Sequence, residues 1–109
     1  MMAIASVEEA AAAAQRGETV LDVRTAPEFA SGHIPRATFM PLVTVPLRLS
    51  ELDRHAPIHI VCESGARAFQ ACQYLDQHGY NVVNVHGGMT AWRANRLPVA
   101  TGMPDTVGS

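Results

Sequence analysis

Several features that would assign a function directly are missing from this 109-residue sequence, or nearly so. It holds two cysteines, too few for the disulfide framework of a small secreted domain. Its five histidines are scattered, and no cysteine or histidine spacing resembles a zinc site, so no metal is expected. The net charge is −2 and no stretch is strongly basic, which argues against a nucleic-acid surface.

Long apolar runs are also missing, since none approaches the roughly 20 residues that a membrane-spanning helix needs. The first residues include two glutamates and no basic segment, unlike a secretory signal peptide. We therefore expect a cytoplasmic protein with no membrane span in this chain. Apolar residues nevertheless make up 48% of the sequence, which is enough for the core of one ordinary domain.

Helical and strand patterns alternate along the chain. A capping box at Ser6 and Glu9, an alanine run and then Gly17 predict the first helix. Four more helices are predicted at about residues 26–32, 45–56, 65–78 and 89–96. Strands are predicted at about residues 18–24, 36–42, 57–62 and 80–88. This alternation predicts an α/β domain with a mostly parallel central sheet and helices on both faces.

Nothing in the sequence divides the chain into parts. No internal repeat and no linker is found, so one domain is expected over residues 1–109. We expect its core at about residues 6–99 and a flexible tail at residues 100–109, where no periodicity is present. Ligands of a parallel sheet bind at the carboxyl ends of its strands. Three groups fall at such ends: Asp22 with Arg24, then Cys62, then His86 with Gly87 and Gly88.

The segment "IHIVCESGARAFQACQYL" places a cysteine between a buried strand and the start of a helix. Free N–H groups and the dipole of the helix would favour a thiolate at Cys62. Gly65 permits the backbone angles of a tight loop, and Arg67 adds a fixed positive charge. This combination predicts a cradle for a charged sulfur or a small oxyanion, although a lone cysteine can also be a small core residue. The predicted binding residues are Glu63, Ser64, Gly65, Ala66 and Arg67.

Three segments resemble motifs of the rhodanese family and occur in that family's order. "DVRTAPEFASGHIPRA" resembles its first signature, "VCESGARA" its active-site loop, and "GGMTAW" its last signature. The resemblance extends from about Ser6 to Val99. It implies a single rhodanese-like domain in which Cys62 is the catalytic, sulfur-carrying residue.

The resemblance also implies that the protein transfers sulfane sulfur in two steps. The Cys62 thiolate takes the outer sulfur of a donor, such as thiosulfate or a low-molecular-weight persulfide, and becomes a persulfide. A thiol, cyanide or a partner protein then accepts that sulfur. Amides of residues 63–67 would stabilise the negative terminal sulfur, and neither a metal nor an organic cofactor is needed.

Two other functions compatible with this fold stay open. Phosphatases and arsenate reductases of the same fold have a Cys-x5-Arg loop that encloses a tetrahedral oxyanion. The shorter Cys-x4-Arg spacing from Cys62 to Arg67 favours sulfur transfer. A module that carries persulfide between proteins, or acts in regulation without turnover, would have the same loop, and an activity assay with thiosulfate and cyanide separates it from an enzyme.

Residues around the loop have either a supporting or a structural role. Asp22 and Arg24 either line the pocket or brace the fold, and the family resemblance implies a contact of Arg24 with Glu28. Cys72 lies on the apolar face of its predicted helix, so we expect a core residue and not a second reactive thiol. Structural roles are also expected for His33, His59 and Trp92.

Two positions depart from the family pattern. Arg36 stands where the family usually has glycine, so a slightly different turn is expected there. Glu63 stands beside the nucleophile, where a basic or neutral polar residue is commoner. We expect its carboxylate to disfavour a dianionic donor such as thiosulfate.

Overall fold

A five-stranded parallel sheet is the centre of the computed structural model, which describes residues 2–103. The strands are β1 (Ala3–Ala5), β2 (Thr19–Asp22), β3 (Thr38–Phe39), β4 (Ile58–Val61) and β5 (Val82–Val85). They lie in the order β1-β5-β4-β2-β3, and each neighbouring pair is parallel. The helices are α1 (Val7–Gln15), α2 (Ala26–Ser31), α3 (Ala66–Gln77) and α4 (Gly88–Ala94). The predicted α/β class is confirmed.

Strand β4 lies in the middle of the sheet, and this position determines where the cysteine loop begins. All four of its residues are buried, because β2 and β5 pair with its edges and apolar residues pack on both faces. Such two-sided burial explains the nearly continuous apolar run in the sequence. Parallel strands end at a common edge of the sheet, so the residues that follow β2, β4 and β5 lie near one another.

Helices cover both faces of the sheet, as predicted. On one face α3 packs against Leu21 and Ile60 through residues that include Cys72 and Leu75. On the other face α1 and α4 pack against alternate residues of the same strands, with Val61 and Trp92 in this second cluster. Successive residues of a strand point to opposite faces, so each strand contributes to both clusters.

The segment between β3 and β4 differs from the single helix predicted at residues 45–56. It forms two short 3-10 helices, Leu42–Leu47 and Leu49–Glu51, followed by irregular chain. Pro46 lies inside the first of them, where it lacks an N–H and hinders an α-helical turn. Leu47 is 86% exposed, whereas Leu49 and Leu52 pack against the core, so the three leucines do not form one buried face. The predicted α-helix is therefore wrong.

The two ends of the described chain also differ from expectation. Strand β1 was not predicted, because three residues with exposed Ala3 and Ile4 give too short a pattern. The segment predicted as a flexible tail begins at residue 100, where Ala100 forms two backbone hydrogen bonds with His33, each 2.9 Å long. Gly102 donates to the Ala30 carbonyl at 2.8 Å. The rest of that prediction, at residues 104–109, lies outside the described residues.

Candidate active site

Cys62 follows directly after the central strand β4 and is only 1% exposed. Its Sγ accepts a hydrogen bond from the backbone N–H of Gly65 at 3.0 Å. Its carbonyl oxygen accepts from the N–H of Met89, near the start of α4, at 2.8 Å. The thiol is therefore held by the strand before it, the loop after it and a helix beside it.

Gly65 shapes the loop through its backbone conformation. It precedes α3 with φ +120°, which is in the region that residues with a side chain rarely adopt. A Cβ built at this glycine would meet no atom within 4 Å. The requirement for glycine is thus conformational and not a matter of space, and it turns the Gly65 N–H toward the sulfur.

Arg67 forms a two-pronged ion pair with Glu28 of α2. Its Nη1 and Nη2 donate to the two carboxylate oxygens at 2.7 Å and 2.8 Å. These hydrogen bonds from Arg67 lower the pKa of Glu28 to about 2. They also raise the pKa of Arg67, to which the charge of Cys62 adds a smaller effect. Arg67 therefore lies within electrostatic reach of the sulfur but shares its charge with a carboxylate.

Arg24 is buried and braces the edge of the sheet beside the loop. Its Nε and Nη2 donate to the carboxylate of Asp22, the latter at 2.8 Å, and Nη2 also donates to the Gly32 carbonyl at 2.8 Å. Burial opposes the charged form of Arg24, yet its hydrogen bonds to the Asp22 carboxylate leave its pKa raised. The predicted contact of Arg24 with Glu28 is wrong, because Glu28 pairs with Arg67 instead.

Glu63 turns its carboxylate toward α4 and Arg24. Oε1 accepts from Nη1 of Arg24 at 3.3 Å, and Oε2 accepts from Oγ1 of Thr90 at 3.1 Å. Oε2 also forms an ion pair with Nη2 of Arg93. Two arginines, Arg24 and Arg93, therefore compensate the carboxylate that stands next to Cys62.

The glycine pair before α4 allows the helix to approach the loop closely. A Cβ on Gly88 would lie 2.4 Å from the Cys62 carbonyl oxygen and 2.7 Å from that of Glu63. Because Gly88 has no side chain, α4 lies close enough for the N–H of Thr90 to donate to the Glu63 carbonyl at 3.0 Å. The "GGMTAW" segment therefore fixes the cysteine loop from one side.

Sequence reasoning missed Thr90 and Arg93, the two side chains of α4 that contact Glu63. They are three residues apart, which places them on the same helix face. That spacing was the available signal. It could not reveal the partner, because Glu63 lies on a different element and reaches α4 only once the sheet has formed.

The other candidate residues lie outside the loop. Cys72 is fully buried, and burial raises the pKa of its thiol to about 12. His33 bonds through Nδ1 to the Phe29 carbonyl at 2.8 Å. Nε2 of His59 lies 2.8 Å from a carboxylate oxygen of Glu18, while its buried Nδ1 has no hydrogen-bond partner. Core or bracing roles fit these residues and Trp92, which is also buried.

A separate cavity of about 270 Å³ lies on the side of the sheet that α1 and α4 cover. Trp92 and Arg36 are among its lining residues, and none of them belongs to the cysteine loop. Arg36 has φ +72°, which accounts for glycine as the commoner residue at this turn. Among residues 2–103, no cluster of three or more potential metal ligands is present, and no helix is long and apolar enough to cross a membrane.

Comparison with known proteins gives consistent results. The family described as the rhodanese-like domain matches residues 6–95. A sulfurtransferase of Allochromatium vinosum is 44% identical over 81 residues, which cover 73% of this chain and 76% of that protein. The thiosulfate sulfurtransferase GlpE of Pseudomonas entomophila is 34% identical over 90 residues, covering 82% of this chain and 83% of the relative.

A solved structure gives the same result for the fold. The rhodanese-related protein of Thermoplasma volcanium superimposes with a TM-score of 0.84 and 28% identity. The match covers 90% of this chain and 97% of the other. With the parallel sheet and the cysteine loop at the end of its central strand, these matches show that the chain belongs to the rhodanese-like domain family.

Proposed function

We propose that this protein is a rhodanese-type sulfurtransferase that transfers sulfane sulfur through a persulfide on Cys62. The observation that carries the proposal is the Gly65 N–H, which donates to the Cys62 sulfur at 3.0 Å. A fixed donor at that point stabilises negative charge on the sulfur, first on the thiolate and then on the persulfide. The names of two relatives, sulfurtransferase and thiosulfate sulfurtransferase, support the same chemistry.

The reaction has two balanced steps. The Cys62 thiolate attacks the outer sulfur of the donor, a new S–S bond forms, and the donor's bond to that sulfur breaks. The leaving group is sulfite when the donor is thiosulfate, and the thiolate RS⁻ when the donor is a hydropersulfide R–S–SH. A thiol, cyanide or a partner protein's thiol then takes the outer sulfur and regenerates the Cys62 thiolate. In each step the attacking group supplies the electron pair of the new bond, and the leaving group keeps the pair of the broken bond, so no oxidant, reductant or cofactor is required.

Two groups of residues have proposed roles around the nucleophile. Residues of the loop bind the donor, and Asp22 and Arg24 support the loop from the neighbouring strand. The location in the cytoplasm, expected from the sequence, stays a prediction. The proposed binding residues are Glu63, Ser64, Gly65, Ala66 and Arg67.

Mass spectrometry after incubation with several sulfur donors tests the proposal. The parent protein should gain about 32 Da on the peptide that contains Cys62. Cys62→Ser should remain folded and gain nothing. Cys72→Ala is the matched control and should still form the persulfide, because the Cys72 thiol is buried in the core. A well-folded Cys72→Ala protein that forms no persulfide would replace this mechanism with a two-thiol relay.

The steady-state rate of thiocyanate production distinguishes an enzyme from a persulfide carrier or a regulatory module, both of which would have the same loop. An enzyme should produce thiocyanate continuously from a small donor and cyanide. A carrier should accept sulfur from a partner protein yet turn over slowly with small molecules. Hydrolysis of a phosphate ester that depends on Cys62 would instead favour the phosphatase alternative.

A further inference from the structure

The charged side chains at the cysteine loop cancel one another. One arginine lies on the loop, two others contact its Glu63, and each of the three is paired with a carboxylate. This loop charge cluster consists of Arg24, Arg67 and Arg93 with Asp22, Glu28 and Glu63. Its three positive and three negative formal charges sum to zero. The rim of the site therefore offers an anionic donor no uncompensated guanidinium from this cluster.

Glu63 is the member of the cluster that controls this balance. Asp22 is fully buried against Arg24, and Glu28 accepts hydrogen bonds from both Nη1 and Nη2 of Arg67. Glu63 is different, because its carboxylate contacts two arginines and it is the residue next to Cys62. Arg93, its partner on α4, is 48% exposed.

We propose that Glu63 is a specificity-determining residue, which occupies Arg24 and Arg93 so that the site prefers a sulfur donor with at most one negative charge over a dianion. The donor class that follows is an alkyl hydropersulfide. The proposal rests on the sulfurtransferase function proposed above and names the donor for the same site.

The physical reason lies in the charge that approaches Cys62. Thiosulfate has two negative charges and must bring them beside a thiolate, where opposite charge from the protein would compensate their repulsion. The loop charge cluster supplies no net positive charge. A hydropersulfide R–S–SH needs less compensation: the thiolate attacks its outer sulfur, RS⁻ leaves with the electron pair, and Cys62–S–SH forms with the donor's proton.

Replacement of Glu63 by glutamine tests this assignment. Glu63→Gln keeps the shape of the side chain and removes its charge, so Arg24 keeps Asp22 while Arg93 loses its ionic partner. We expect kcat/KM for thiosulfate to rise roughly tenfold at low salt, through the gain of one nearby positive charge. The value for 2-hydroxyethyl hydropersulfide should rise by a smaller factor, so the ratio of the two values is the readout, and added salt should reduce the thiosulfate gain.

Two further variants serve as controls. Glu51→Gln removes a carboxylate that is paired with Arg48 away from the loop, so it makes the same change in net charge and should leave both donors unaffected. The double variant Glu63→Gln/Arg93→Gln restores the neutral cluster. Its thiosulfate rate should return to within about twofold of the parent, whereas loss of a structural contact alone would not be reversed.

Each outcome separates this inference from the proposed function. If Cys62 gains sulfur from some donor but Glu63→Gln is no faster with thiosulfate at low salt, the specificity role of Glu63 is wrong and the transferase proposal stands. A parent protein that uses thiosulfate at least as well as the hydropersulfide also overturns the donor assignment. If no donor places sulfur on Cys62, the proposed function itself fails.

Discussion

Gly65 and Gly88 meet different physical requirements at the two sides of Cys62. Gly65 needs a positive φ but has open space around the position of a Cβ. Gly88 has φ +56°, and its missing Cβ would overlap the carbonyl oxygens of Cys62 and Glu63. One glycine therefore orients a hydrogen-bond donor, while the other lets a helix contact the loop.

This difference predicts unequal effects of alanine at the two positions. Gly65→Ala should lower the free energy of unfolding by about 1–2 kcal/mol, the usual cost of a side chain in this backbone region. Gly88→Ala adds a steric clash that α4 can relieve only by moving, so we expect about 2–4 kcal/mol. Urea unfolding followed by the fluorescence of Trp92, the single tryptophan, measures both values. Equal losses would contradict the steric role of Gly88.

Among individual residues, the sequence predicts Cys62 as the nucleophile because strand, thiol, glycine and arginine are local neighbours in the chain. The partners of Glu63 could not be found this way. Arg93 is separated from Glu63 by a helix and a strand, so its contact with Glu63 forms only when the fold brings α4 to the loop. The partner of Glu28 was missed for the same reason. The resemblance implied Arg24, but the structure pairs Glu28 with Arg67, which lies on a different helix.

At the scale of elements, the ion pair between Glu28 and Arg67 connects α2 to the first turn of α3. The Arg67 hydrogen bonds hold the pKa of Glu28 at about 2, below the ordinary value of 4.5. A depressed pKa means that the folded state favours the charged carboxylate. The resulting stability is complete above about pH 4.5 and is lost as the pH falls toward 2.

Glu28→Gln should therefore destabilise the protein at neutral pH but not in strong acid. Because Glu28 is about one third exposed to solvent, we expect about 1 kcal/mol at pH 7 and not the full value of the shift. Urea unfolding of the parent and the variant between pH 7 and pH 2 measures the difference. It should shrink below about pH 4.5, and a difference that stays constant with pH would show that the lost contact is not electrostatic.

Elements with strong local signals were predicted well, and those shaped by tertiary contacts were not. The capping box of α1 appears as expected, with the Ser6 hydroxyl accepting from the Glu9 N–H at 3.1 Å and the Ser6 N–H donating to the Glu9 carboxylate at 2.7 Å. The leucines near Pro46 resembled a helical face, yet the proline and the short span between strands gave 3-10 turns. Strand β1 exists through its pairing with β5, which no local pattern shows.

At the scale of the whole molecule, the alternation of strands and helices was enough to predict the α/β class. With right-handed crossovers, the direction in which the chain moves across a parallel sheet decides which face each helix covers, and the strand order here reverses that direction after β3. The limits of the domain were harder to predict, because they depend on backbone hydrogen bonds between distant segments. Ala100 pairs with His33, and Gly102 bonds to Ala30, both of which lie within the first signature.

These contacts predict that the segment after Val99 stabilises the domain. Relative to a chain that ends at Met103, a chain that ends at Val99 loses the three backbone hydrogen bonds made by Ala100 and Gly102. At about 0.5–1.5 kcal/mol each, and less where water can replace them, their loss should lower the free energy of unfolding by about 1–3 kcal/mol. Persulfide formation on Cys62 should be unchanged, because none of these bonds involves the cysteine loop. Urea unfolding of the two chains decides the point: equal stability would place the end of the folded domain at residue 99, as the sequence predicted, and a clear loss would extend it to residue 102.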